Sequence, residues 1–294
     1  MIDVSDRLSA LAPSEQTLVG YLFWLSRPRF WFYLAGPVVV GVAYGASSTA
    51  EYFTPLTVAL FAYFLVPANV FLYGINDLFD ADIDEVNPKK SDEGREVQYR
   101  GSRSVTVIVV CSALAAVVFV PALPTVGVAA LAGFLLLGTT YSAPPVRFKT
   151  TPLLDSISNG LYIMPGLVAY AALAGELPPT LVIVGGWLWT MGMHTFSAIP
   201  DIEPDRAAGI QTTATVLGRD RTLAYCAGCW LAAAGAMGVV HPFFAAVLAI
   251  YPLFVVGIVL ASVDIDRAYW WFPVLNTVAG ALLTMAAVWR LTYA

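Results

Sequence analysis

Long apolar runs divided by short polar breaks set the organisation of this chain. Runs near 29–46, 55–75, 105–121, 124–141, 153–174, 179–199, 222–240, 243–263 and 270–289 are close to the roughly 20 residues a helix needs to cross a bilayer. The pattern predicts an all-α integral membrane protein with nine transmembrane helices. Pro121 and Pro124 mark a tight turn between the third and fourth, and His241-Pro242 separates the seventh from the eighth. The one long polar loop is 76–104.

Composition agrees with that pattern. Of 294 residues, 59% are hydrophobic and 12% charged, with a mean hydropathy of +0.74; soluble domains carry about 25% charged residues. A single transmembrane domain over 1–294 is expected, as two four-helix halves plus a ninth helix, although no sequence repeat marks the halves. The net charge of −5 lacks the basic footprint of a nucleic-acid binder. No cleavable signal peptide is expected, because Asp3, Asp6, Arg7 and Glu15 interrupt the start. Cys111, Cys226 and Cys229 lie in apolar segments, so no disulfide framework is expected. Cys226 and Cys229 have a redox spacing but read as packing residues within a membrane helix.

Charge fixes the threading. With the N-terminus cytoplasmic, the inner side receives Arg7, Arg27, Arg29, Lys89, Lys90, Arg95, Arg100, Arg103, Arg147, Lys149, Arg206, Arg219, Arg221 and Arg267, and the outer side only Arg290. This is the positive-inside asymmetry. Among the acids, only Glu51 and Glu176 fall outside. Two acidic stretches then share the inner face, one after the second helix (Asn76 to Asp84) and one after the sixth (Asp201 to Asp205).

Carboxylates at a bilayer edge are costly unless cations satisfy them. Asn76, Asp80 and Asp84 recur every fourth residue, on one helix face about 5–6 Å apart. Such an oxygen stripe suits Mg²⁺, which takes one or two carboxylates and fills its other sites with water and phosphate oxygens. An EF-type calcium loop starting at Asp80 fails, since its sixth and twelfth places hold Glu85 and Ser91. The bland reading is a solvated acidic loop, against which Asn76 and Asp77 abut an apolar helix. Asp201 and Asp205 repeat the spacing of four, and Pro200 and Pro204 predict a helix that breaks and restarts there. Between the two lies Tyr141-Ser142-Ala143-Pro144-Pro145-Val146-Arg147-Phe148-Lys149, which presents two cations suited to an anionic leaving group; the alternative is ordinary positive-inside anchoring. His194 and Glu203 are candidate acid/base groups. Tyr73 and Phe196 could offer ring faces to a carbocation, as could Trp187 and Trp189, although such residues more often pack or anchor.

At these residues the chain resembles the UbiA superfamily of intramembrane prenyltransferases. Asn76-Asp77-x-x-Asp80-x-x-x-Asp84 resembles the first Asp-rich motif. Asp201-x-x-x-Asp205 with Gly209-Ile210-Gln211-Thr212-Thr213-Ala214 resembles the second, Tyr141-Ser142-x-Pro144-Pro145-x-Arg147-x-Lys149 the loop between, and Arg27-Pro28 the entry to the first helix. The resemblance implies a central cavity open to the bilayer, with Asn76, Asp80, Asp84, Asp201 and Asp205 holding Mg²⁺ and diphosphate. It implies that Arg147 and Lys149, with Tyr141, steady the leaving group. Two departures are Asn87 to Arg95, in place of an Arg-Pro-rich stretch, and Gln211, in place of a basic residue. With Phe196 to Asp205 they look similar to the lycopene elongase/hydratase branch, which makes fifty-carbon carotenoids such as bacterioruberin.

The expected reaction ionises dimethylallyl diphosphate, lets a terminal double bond of lycopene attack the allylic cation, and ends in proton loss or water capture. The alternatives are a quinone-ring or glycerol-phosphate acceptor and, in another class, a cation-coupled transporter. An acceptor phosphate would want more cations than Arg27 and Arg29 near the first helix. A transporter's acids should lie near mid-membrane.

Overall fold

The computed structural model describes residues 17–84 and 103–293, giving 80–84 as helical backbone only. Every regular element among the described residues is helical. In chain order these are α1 (Leu18–Leu25), α2 (Trp31–Gly45), α3 (Pro55–Leu65), α4 (Pro67–Asp84), α5 (Arg103–Leu114), α6 (Thr125–Ser142), α7 (Leu154–Ile157) and α8 (Met164–Ala174). They continue with α9 (Thr180–Ser197), α10 (Ile202–Ala207), α11 (Thr213–Leu217), α12 (Arg219–Val240), α13 (Pro242–Leu248), α14 (Ile250–Leu260) and α15 (Ile265–Tyr293). Short 3₁₀ turns join several of them. Asn87 to Arg95 lie outside the described residues.

Among the described residues seven stretches are long and apolar enough to cross a membrane, against the nine expected. The other two expected segments are helical as well. α2 spans only 15 residues, and the C-terminal half of α9 carries Thr190, His194, Thr195 and Ser197. Both flank the cavity described below, which is where a membrane helix can shorten or carry polar groups. The chain is an integral membrane protein.

Punctuation follows the prolines. Pro55 starts α3 with Thr54 capping Thr57 N at 3.3 Å, and Pro242 starts α13 at the expected break. Pro67 divides α3 from α4, and the Asn69 side chain donates to Phe64 O and Leu65 O, both at 2.9 Å. A helix break inside a membrane must satisfy its carbonyls from within, and Asn69 does so here.

Small residues set the closest approach. A Cβ on Gly41 would collide with the Gly166 carbonyl, and one on Gly45 would sit 2.8 Å from the Tyr170 carbonyl. The Gly41-x-x-x-Gly45 edge of α2 therefore lies directly on α8. α2 also packs along α15. Arg29, before α2, reaches Tyr269 and Trp270, while Tyr44 at its far end lies under Arg290. The two helices thus run parallel. The core near α12 is aromatic: Trp230, Tyr251, Phe254 and Phe272 gather around Phe196, whose ring is 4.9 Å from that of Phe272. Cys226 and Cys229 are free thiols buried in α12, as expected of packing residues.

Candidate functional site

The end of α9 shows how the chain builds the site. α9 stops at Ser197, a 3₁₀ turn spans Ile199–Asp201, and α10 restarts at Ile202. The break expected at Pro200 and Pro204 is present. Met193, His194, Ser197, Ala198, Asp201 and Asp205 form one stripe through it, and all line a cavity of about 280 Å³. Their steps of three and four residues keep them on one helical side. On α4, Tyr73 and Asn76 face the same cavity. Asp80 and Asp84 continue that stripe in sequence, but their side chains lie outside the described residues. Tyr141, Lys149 and Arg27 complete the polar wall. The two acid-bearing regions and the intervening loop therefore meet at a single chamber.

Two cations hold the middle of α4. Arg27 pairs with Asp77 at 3.5 Å and lies over the Tyr73 ring at 4.6 Å. Lys149 Nζ donates to Asn76 Oδ1 at 3.2 Å, and Ser142 Oγ donates to the same oxygen at 2.9 Å. Burial lowers the Lys149 ammonium to about 8, and the Arg27 charge adds to the lowering; Asp77 and Asp205 oppose both.

Not every expected residue reaches the cavity. Arg147 donates to Phe79 O at 3.1 Å, at an exposed position, and so holds the backbone of α4. Glu203 is exposed and pairs with Arg206 at 3.0 Å; two residues from Asp201 and from Asp205, it points to the other side. Phe196, two residues after His194, is wholly buried in the aromatic core. His194 does face the cavity, and its Nε2 is 2.8 Å from Tyr141 Oη.

Other wall residues were not anticipated. Asp155 is buried, its carboxylate receiving Thr213 N at 2.8 Å and the Thr213 hydroxyl. Leu153 N donates to that hydroxyl at 2.7 Å. The start of α7 is thereby tied to the segment that follows Asp205. Asn159 donates to Asp155 O, and both residues line the cavity. The signal was available, since Asp155 and Asn159 are polar positions inside the apolar run 153–174. Away from the acids the wall is aromatic. The Phe30 ring lies 5.2 Å from Tyr33 and 6.3 Å from Tyr73, and the Tyr33 ring meets Tyr162 edge-on at 6.2 Å.

Among the described residues no group of three or more His, Cys, Asp or Glu is gathered for a metal. The donors facing the cavity from the acidic motifs, Asn76, Asp201 and Asp205, are hard oxygen ligands. That donor chemistry fits Mg²⁺ and not a soft metal.

The chain is 60% identical to a lycopene elongase/hydratase of Haloarcula japonica over 289 residues, 98% of each chain. It is 62% identical to one from Haloferax volcanii, over 92% of this chain and 89% of the relative. In fold it is similar to a UbiA homolog from Archaeoglobus fulgidus bound to DMAPP and Mg2+, with a TM-score of 0.68, 21% identity, and coverage of 91% of this chain and 98% of that one. The UbiA prenyltransferase family pattern matches residues 30–283. With that match over most of its length, the chain belongs to the UbiA prenyltransferase family.

Proposed function

We propose that this enzyme transfers the dimethylallyl group of dimethylallyl diphosphate to lycopene, with Mg²⁺ as cofactor and with hydration of the product. The observation that carries the reading is the single cavity lined both by oxygen ligands with Lys149 and by the tyrosine rings of Tyr33, Tyr73 and Tyr162. The identity to proteins described as lycopene elongase/hydratase supports the acceptor. The same reading has nine crossings arranged as two four-helix halves and a last helix, an N-terminus in the cytoplasm, and the polar end of the cavity at the cytoplasmic face of the cell membrane.

Asn76, Asp80, Asp84, Asp201 and Asp205 would hold the metal. When bound, Mg²⁺ supplies positive charge to the diphosphate oxygens. Lys149 and Tyr141 hold the diphosphate by hydrogen bonds that strengthen as the carbon–oxygen bond breaks. Arg147 acts from outside the cavity by holding the end of α4. The rings of Tyr33, Tyr73 and Tyr162 face the allylic cation and exclude bulk water. The terminal double bond of the acceptor attacks this cation, leaving a tertiary cation on the carotenoid. A cavity of about 280 Å³ admits the short donor and only the end of a long acceptor, the rest remaining in lipid.

The test is turnover of purified protein with dimethylallyl diphosphate and either lycopene or a quinone precursor, read by mass. Lycopene lengthened by one five-carbon unit is expected. A prenylated ring with untouched lycopene would refute the acceptor. Chelation with EDTA and Asp205→Ala should each abolish turnover while the protein still inserts; full activity in EDTA would end the metal assignment.

A further inference from the structure

Two buried polar atoms beside the aromatic end of the cavity are unsatisfied. Tyr33 Oη and Asn276 Nδ2 meet no partner in full hydrogen-bonding geometry; the Asn276 side chain makes only a loose contact with the Tyr33 hydroxyl. Tyr33 is 8% exposed and lines the cavity. Asn276 lies behind it on α15, and its Oδ1 accepts the Tyr251 hydroxyl at 3.0 Å. That bond orients the amide, so its NH₂ is directed away from Tyr251. An amide within an apolar membrane helix is costly, and a buried polar atom without a partner calls for a ligand or a water. A water needs two or more polar partners and room. Tyr33 and Asn276 supply the partners, and the cavity supplies the room.

We infer that Tyr33 and Asn276, oriented by Tyr251, hold the water that captures the tertiary cation after prenyl transfer, making this pair the determinant of hydration over elimination. The inference rests on the prenyl-transfer reading above. In the step, a lone pair of the water forms the new carbon–oxygen bond to the tertiary carbon. One water proton then leaves for the released diphosphate, and the product is a tertiary alcohol. Without the held water, the same cation loses a proton from a neighbouring carbon to diphosphate and becomes an alkene. The Tyr33 and Asn276 side chains fix the water beside one carbon and are not consumed.

The experiment incubates wild type, Tyr33→Phe and Asn276→Leu with dimethylallyl diphosphate and lycopene in heavy-oxygen water. It measures the fraction of prenylated product that carries labelled hydroxyl. Wild type should give labelled alcohol. Each variant should lower the alcohol-to-alkene ratio by about tenfold, the scale of one lost hydrogen bond. Asn276→Leu, which leaves the cavity-lining Tyr33 in place, should keep total prenyl transfer. An unchanged ratio in both variants, a wild type that gives only alkene, or a parallel loss of all products in both variants would each overturn the inference. Absence of any prenylated product from wild type would instead refute the function reading, and this proposal with it.

Discussion

Arg27 and Arg147 head two turns of the same construction with opposite assignments. Each arginine has a left-handed backbone, with φ of 50° and 43°, and each opens a 3₁₀ turn carrying a second cation two residues on, Arg29 and Lys149. In the first turn the leading cation, Arg27, faces the cavity, and Arg29 clamps α15 through Tyr269 O and Trp270 O. In the second the order reverses: Arg147 clamps α4 through Phe79 O, and Lys149 faces the cavity. The two cavity cations then meet adjacent residues, Arg27 at Asp77 and Lys149 at Asn76. Each turn thus gives one cation to the cavity wall and one to helix placement. A positive φ disfavours a side chain with a Cβ, so both turns are over-determined by these contacts.

The comparison breaks most sharply at Lys149. Lys149→Ala should lower kcat/KM for the donor by about 10²–10³, the scale of losing one donor to a developing anion, with insertion unchanged. Arg147→Ala should cost less, about tenfold, since it removes one charge-assisted bond to a carbonyl at an exposed position. Equal losses in steady-state kinetics would refute the division of labour between the two cations.

A pH profile sharpens the same distinction. The Lys149 ammonium is lowered from 10.5 to about 8, so the free enzyme sheds this charge as pH rises through about 8. kcat/KM should fall across that point, because it reports the free enzyme, and Lys149→Arg should hold its activity to higher pH. Stability moves the other way. Between about 8 and 10.5 the unfolded chain binds a proton that the folded site has released, so this group's contribution rises with pH. Thermal unfolding in detergent over that window checks the sign, and a Lys149→Met variant should lose the rise.

Much of this was legible in sequence for plain reasons. Apolar runs of membrane length became helices, and Pro200 with Pro204 broke the backbone where a proline must. The stripe from His194 through Asp201 to Asp205 follows from helical period alone. Period would also have excluded Glu203, two residues from both Asp201 and Asp205 and so on the far side of the helix, whereas Phe196, next to Ser197, is taken into the aromatic core by packing alone. Asp155 and Asn159 were overlooked because a window of apolar neighbours outweighs single polar residues. Arg147 and Lys149 looked equivalent because their separation depends on a backbone angle that composition does not report. Asp80 and Asp84 share the Asn76 stripe by spacing, but their side chains lie outside the described residues.

The smallest effect is expected at Arg29, where the first turn's clamp can be tested apart from chemistry. Pro273 has no N–H, so within α15 the Tyr269 carbonyl has no helical donor four residues on. Arg29 Nη2 takes that role at 3.1 Å, reaches Trp270 O at 2.8 Å, and stacks its guanidinium 3.4 Å from the Trp270 ring. Arg29→Ala should therefore lower stability by about 1–2 kcal/mol, from two charged hydrogen bonds, one of them exposed, and one cation–π contact, while kcat changes less than about threefold. Arg29→Lys should recover only part of the stability, because a single ammonium cannot both fork to two carbonyls and stack. Thermal unfolding in detergent beside kcat measures both. A large kcat loss without loss of stability would place Arg29 in the chemistry and make the two turns alike after all.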